Sequence, residues 1–572
     1  MIGRKQFGRI STANSDAPAS AYTNAALDQA YRAEQEQTKG VDMAKSANGN
    51  GSPSRDRVLG MHRKITRRDF LNGAAVGVVG TLASPWLAGL IAAQTPALSA
   101  QDRPGYYPPT LTGMRGSHAG AFEVAHALRD GTFWQQSGKP VETGEEYDLV
   151  VVGGGISGLA AAYFYRKHTG SAARILILDN HDDFGGHAKR NEFHLAGRTL
   201  LTNGGTVSIE SPFPYSTEAR GLLAELGINP PALQKKYPVG HTYGDLGFGY
   251  FFDKETFGTE RLVTNVPGGF YGPQGTAGKW ADFLARTPLS VPAQQDIARI
   301  QEANIDYMEG VTQEQKKTRL SKMSYKDFLL NVVKVHPDVI PFYQTRTHGL
   351  YGIGIDAVPA LDCWAIHFPG FQGMRLERVP SKGLSFTALG EVTPQEEFHF
   401  HFPDGNASIA RMLVRSLVPG AALGKTPEDI VTARMDYGRL DHAGSAVRVR
   451  LNSTVVLARH IGDSVSAKQV EVTYGRDQKA YSVRSKVVVL ACWNMVIPYL
   501  CPDLPQEQKE ALHYGVKVPL VYTVVGLRNW ASFHRLGVRS VSCPGMYHTS
   551  LNLDQAPKIG DYQPPQSPAP VQ

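Results

Sequence analysis

The stretch that decides the fold is Tyr147-Asp-Leu-Val-Val-Val-Gly-Gly-Gly-Ile-Ser-Gly-Leu-Ala-Ala-Ala-Tyr-Phe-Tyr-Arg166. Strand formers run from Leu149 to Val152, the chain turns on Gly153-x-Gly155-x-x-Gly158, and an Ala-rich helix is predicted to about His168. A second apolar strand, Arg174-Ile-Leu-Ile-Leu-Asp179, ends on an acid 21 residues after Gly158. In such a strand–turn–helix–strand unit, Gly153 makes the tight turn and Gly155 lets the backbone approach a pyrophosphate. Gly158 lets helix and strand pack closely, and Asp179 reaches ribose hydroxyls at the helix N-terminus. The reading is an adenine-dinucleotide site with Ile156 and Ser157 opening its helix. The alternative is a glycine-rich turn without a ligand.

Working forward, Asn180-His-Asp-Asp-Phe-Gly185-Gly186-His187-Ala-Lys-Arg190 places two more glycines just past the acid, where backbone can again come close to a phosphate. A further loop, Asn203-Gly204-Gly205-Thr206, can pass beside a cofactor ring; an ordinary glycine turn is the competing reading. Residues 215–395 abandon the strand–helix alternation. Helices are predicted over Ser216–Leu226, Val291–Met308 and Ser324–His336, between loops rich in Gly, Tyr and Phe. After the turn at Gly405 comes a helical stretch to Leu417, then short strands at Val447–Leu451, Thr454–Ala458, Gln469–Tyr474 and Lys486–Ala491. The last is wholly apolar, as in a parallel sheet buried on both faces. The expected fold is therefore α/β, a Rossmann-like dinucleotide-binding domain interrupted by a mixed α+β substrate domain. Its parts are a 101–145 arm, 146–214 and 396–510 for the dinucleotide domain, 215–395 for the substrate domain, and 511–572 returning to it.

Working backward, residues 1–60 are rich in Ser, Ala, Asn, Gln and Gly, and are expected to be disordered. Residues 61–100 read as an export signal. Arg67-Arg68 precede Phe70-Leu71, a Gly/Ala-rich apolar stretch and a small-residue end, which resembles a twin-arginine signal. That implies the twin-arginine machinery as a partner and a periplasmic or extracellular destination. A membrane anchor is disfavoured by Gly73, Gly77, Gly80, Gly89 and Pro85. Met61 is then the expected start.

At 572 residues the chain can hold several domains, and 42% hydrophobic with 19% charged residues suits a globular enzyme. Of the net charge of +7, +5 lies in residues 1–100, so no basic stripe argues for nucleic acid. Four cysteines form no zinc spacing; no metal site is expected, and a disulfide stays open.

Three segments resemble the flavin-dependent amine oxidoreductases, the monoamine and polyamine oxidase superfamily, and most closely the bacterial spermidine dehydrogenases. They are Asp179–Phe193, Tyr351–Ala365 and Val516–Tyr522. The resemblance implies FAD bound by Gly153, Gly155, Gly158, Asp179, Asn180, Gly185 and Gly186, with His187 standing where the family has an arginine. It adds Val455 at the adenine, Ala491 at the end of the last strand, and Lys517 as a lysine holding water near the reacting flavin nitrogen. It implies oxidation of the carbon beside an amine nitrogen, an imine product hydrolysed by water, and an electron acceptor still to be identified. It also implies haem, for which His336, His348, His367, His399 and His401 are available. The family closes its site with a late strand–turn–helix. Because this chain ends in Asp561-Tyr-Gln-Pro-Pro-Gln-Ser-Pro-Ala-Pro-Val-Gln572, a truncated chain is expected. The alternatives are a non-catalytic remnant, or a desaturase or isomerase on the same fold.

Overall fold

The computed structural model describes residues 2–13, 23–39, 99–195, 197–210, 215–238, 243–244, 246–268, 279–393 and 398–568. The candidate signal therefore lies outside the described residues, apart from its last two positions. Among the described residues no helix is long and apolar enough to cross a membrane.

The main sheet is built from the strands the sequence reading expected, together with one that it did not. Strands β1 (Ile10–Thr12), β2 (Val141–Val152) and β3 (Ile175–Leu178) precede the hairpin of β4 (Arg190–Leu195) and β5 (Arg198–Asn203). Strands β6 (Gly247–Phe252) and β7 (Arg261–Thr264) follow, then β8 (Val447–Arg450), β9 (Thr454–His460), β10 (Val470–Arg476) and β11 (Lys479–Leu490). The order is β8-β3-β2-β11-β10-β9, with β1 on β11 as the seventh strand. Pairs β3/β8, β2/β3, β2/β11 and β1/β11 are parallel; β10 is antiparallel to both its neighbours.

Strand alternation sorts β2 between two cores. Leu149 and Val151 join the layer with the fingerprint helix Ile156–Thr169; Val150 and Val152 join a second layer with Val472, Val488 and Leu490. Because both faces are covered, these strands read as unbroken apolar runs.

Within the stretch expected to be disordered, residues 2–13 and 23–39 are ordered instead; the rest of residues 1–60 lies outside the described residues. Ile10 pairs with Val488 and Thr12 with Leu490, and the helix Thr23–Lys39 buries Leu27, Ala30 and Ala33 completely in the layer beside the fingerprint helix. Tyr31 meets Phe164 edge to face. Composition misled because the buried stripe is mostly alanine, whose small apolar surface hardly registers against the nine charges and amides of the same helix. It is small because two helices pack there closely.

A second, smaller sheet has the order β13-β12-β6-β7, using β12 (Val538–Ser542) and β13 (Ser550–Asn552). It draws on residues 247–264 and 538–552 and sits against its own aromatic core, where Tyr250 stacks on Phe342 and Phe328 on Phe371. The expected Ser324–His336 helix is a short α turn, Tyr325–Asp327, continued by a π segment, Phe328–Val333, and ended by Lys334 in the left-handed region. All four cysteines are free.

Candidate dinucleotide site

The fingerprint turn is enforced by contacts that exclude any side chain. Gly153 has φ 109°, and a Cβ there would lie 2.6 Å from the Ala491 carbonyl oxygen. The Ala491 amide donates to the Val152 carbonyl at 2.8 Å, so the end of β11 is clamped over the turn. A Cβ on Gly158 would come within 1.9 Å of the Gly153 carbonyl oxygen, which is how the fingerprint helix comes down on its own strand. Ile156 and Ser157 lie buried in the first turn of that helix, and Gly155 occupies its N-cap.

The second glycine pair folds onto the first. Gly155 and Gly185 form an isolated parallel bridge, and the Gly185 amide donates to the Gly154 carbonyl at 2.8 Å. Gly185 and Gly186 both have positive φ, 102° and 61°. A Cβ on Gly186 would be 3.1 Å from the Gly155 Cα. Two glycine turns thus meet backbone to backbone, leaving main chain alone to face a ligand.

Asp179 ends β3 and is buried. Its Oδ2 accepts from the Gly154 amide at 2.7 Å and its Oδ1 from the His181 amide at 2.8 Å, with the His181 ring 3.1 Å away. Burial opposes the charge, but the hydrogen bonds and charge of His181, with the charge of Lys189, outweigh it. They hold the carboxyl below the ordinary aspartate value. The acid is thereby kept as an acceptor at the edge of the turn.

The remaining expected residues divide. Asn180 donates from Nδ2 to the Ala121 carbonyl at 2.6 Å, so its side chain is committed to the arm. The arm also brings Arg115 onto Asp182 as a bidentate pair at 2.5 and 3.0 Å. His187 is exposed beside the second turn. Of the two cations after it, Lys189 donates to the Asp183 carbonyl at 2.9 Å, and Arg190 is buried against Glu192 at 2.7 Å and Asp404 at 3.3 Å. Arg190 therefore serves the core. Gly204 and Gly205 form an exposed loop whose Gly204 amide bonds the Lys189 carbonyl at 2.8 Å. Val455 is buried in β9, and Lys517 lies exposed in an irregular segment.

Among acids that could meet a cationic substrate, Asp362 is buried and accepts from the Ser385 amide at 3.0 Å. Asp356 accepts from Gln344 at 2.7 Å, and Glu397 lies outside the described residues. Of the histidines, His399 pairs with Glu210 at 2.5 Å and His401 is buried with its Nδ1 2.9 Å from the Phe402 carbonyl oxygen.

Sequence reading missed Asn406. It is buried at the start of the helix Ala407–Leu417, its amide bonds the Thr206 carbonyl at 3.1 Å, and its Nδ2 donates to Thr206 Oγ1 at 2.7 Å and Thr23 Oγ1 at 2.9 Å. The available signal was Gly405: with φ 59° and the Thr206 carbonyl 2.2 Å from any Cβ, it is the close approach that seats Asn406.

A family model described as an NAD(P)-binding Rossmann-like domain matches residues 151–226. Over 85 residues, 15% of this chain, the sequence is 38% identical to "Oxidoreductase PigB" of Serratia sp. (strain ATCC 39006), and the match spans 11% of that protein's length. This is a mixed α/β chain with a Rossmann-like dinucleotide-binding domain, similar over 85 of its residues to an oxidoreductase.

Proposed function

We propose that the chain is an FAD-dependent oxidoreductase acting on the C–N bond of a polyamine such as spermidine. The observation that carries the cofactor reading is the bridge between Gly155 and Gly185, which doubles the main-chain surface offered to a pyrophosphate beyond a single Rossmann turn. The residues fit the group: glycine positions that any Cβ would fill, an ionised acid at Asp179, and buried strand backbone at Val455. The resemblance of Asp179–Phe193 to amine oxidoreductases supports the substrate class.

When bound, FAD supplies the hydride acceptor. The protein's own residues do the rest. The N-terminus of the fingerprint helix, with the two side-chain-free glycine turns packed beside it, holds the pyrophosphate, and Asp179 accepts from ribose hydroxyls. Lys517 is assigned, on the family resemblance, to hold a water near the reacting flavin nitrogen. Haem, the electron acceptor and export by the twin-arginine machinery to the periplasm belong to the same proposal, which rests there on the family resemblance and on Arg67-Arg68.

The test is to purify the full chain from a twin-arginine-competent bacterium and record its visible spectrum, then identify the nucleotide released on denaturation. Bands near roughly 375 and 450 nm that bleach anaerobically with spermidine are expected from flavin chemistry. Flavin that is indifferent to every amine removes the substrate. The match to an NAD(P)-binding Rossmann-like family favours a second reading, a nicotinamide dinucleotide in the same turn. Release of NAD or NADP in place of FAD would establish it.

A further inference from the structure

We propose that β1 and the helix Thr23–Lys39 form the far wall of the dinucleotide site and hold the half of the cofactor that extends past the pyrophosphate. This rests on the dinucleotide reading above, although the fold assigns the segment no such role by itself.

Ligands of open parallel sheets lie beyond the carboxyl ends of the strands. Three of those ends are aligned here: Val152 of β2 is level with Leu490 of β11, and Leu490 with Thr12 of β1. The Ala13 amide continues the pairing to the Leu490 carbonyl at 2.9 Å. Asp179 ends β3 on the opposite flank of β2. The acid and the end of β1 are therefore three strand spacings apart, about 14 Å along one edge. A dinucleotide anchored by its ribose at Asp179 and its pyrophosphate at Gly155 and Gly185 has this edge to run along.

The start of the N-terminal helix is tied by polar groups to the loop that packs beside the second glycine turn. Asn406 bridges Thr23 to Thr206, and Thr206 follows the Gly204–Gly205 loop. Asn406 is 1% exposed, yet its Oδ1 has no protein partner; Asn24 Oδ1, in the first helical turn, is also buried without one. Two orphaned acceptors, one at the start of each of two helices joined through Asn406 and Thr23, cost stability unless a ligand donor meets them. A heterocycle carrying N–H donors, as a flavin or nicotinamide end does, is the chemistry that satisfies them.

The placement also bears on processing. Cleavage near residue 100 would sever this segment from the body, leaving packing to retain it. The segment is pinned to the body by Leu27 in the core, by Gln508 donating to the Lys5 carbonyl at 2.7 Å, and by Ser216 donating to Asp28.

The experiment places a specific protease site between residues 39 and 99 of the full chain, cuts it, and follows the segment and the bound dinucleotide through gel filtration. A second protein carries Asn24→Leu. We expect the cut segment to co-elute with the body and its cofactor. Asn24→Leu should weaken FAD binding about tenfold in a fluorescence titration, with the thermal midpoint of the cofactor-free protein unchanged or raised. Departure of the segment from a body that keeps its cofactor, or an Asn24→Leu protein that binds FAD like the parent, overturns the proposal. An uncut parent that binds no adenine dinucleotide at all defeats the functional reading and this wall with it. Co-elution of the segment then still records the packing.

Discussion

At the scale of single residues, the two glycine turns and Asp179 carry the sharpest expectations. Gly158→Ala drives a Cβ into the Gly153 carbonyl, so helix and strand must part. Overpacking of this kind costs about 1–3 kcal/mol. The expected outcome is a lowered thermal midpoint together with loss of co-purified nucleotide. Asp179 gives a pH signature. Its folded carboxyl lies below the unfolded value, so the stability that it adds is fully present above the ordinary aspartate range and is lost as pH falls through the folded value. Asp179→Asn should flatten that acid limb, measured as unfolding midpoint against pH between about 3 and 7. Arg190→Met leaves Glu192 and Asp404 buried without their cation, and should cost about 3–5 kcal/mol in denaturant unfolding. An arginine that merely faced a phosphate would show almost no such loss in the cofactor-free protein.

At the scale of elements, the fingerprint helix and its strands were legible because each carried its own local signal. Apolar runs announced β2, β3 and the end of β11, and the glycine spacing announced the turn. Ser216 was read as the first residue of a helix and is its cap, accepting from the Ala219 amide at 3.0 Å. Because the same hydroxyl donates to Asp28 on the N-terminal helix, Ser216→Ala should exceed the usual cap loss of about 1 kcal/mol. The measurement is equilibrium unfolding of the variant beside Asp28→Asn, which separates the two roles. The N-terminal helix itself was not legible, since Ala25, Ala26, Ala30 and Ala33 make a buried stripe only when another helix lies against it. The Tyr325–Val333 segment read as an unbroken helix because its apolar spacing is helical; its π geometry answers to the aromatic stack around Phe328.

At the scale of the whole molecule, the placement of residues 2–39 changes what a start at Met61 would mean. A chain beginning there would lack β1 and the helix that covers the fingerprint layer. It should unfold at a lower denaturant concentration than the 572-residue chain and expose apolar surface to a hydrophobic dye. Leu27→Ala within the full chain should lose about 3 kcal/mol if the helix is integral to the domain, as its complete burial indicates. Intact-mass analysis of the purified protein then reports directly whether the segment accompanies the body.

The sequence by itself determined the dinucleotide turn, its ribose acid and the strands around them, because those features follow from short-range rules of spacing, backbone freedom and strand periodicity. Only the tertiary structure decided which cations are spent in the core, how Gly185 meets Gly155, and where residues 10–13 and 23–39 belong. Each of those depends on contacts between segments far apart in the chain. β1 finds its partner at residues 488–490, Asn406 joins Thr23 to Thr206, and Arg190 answers to Asp404. Local pattern carries no record of such pairings, since the free energy that selects them appears only when the distant surfaces close on one another.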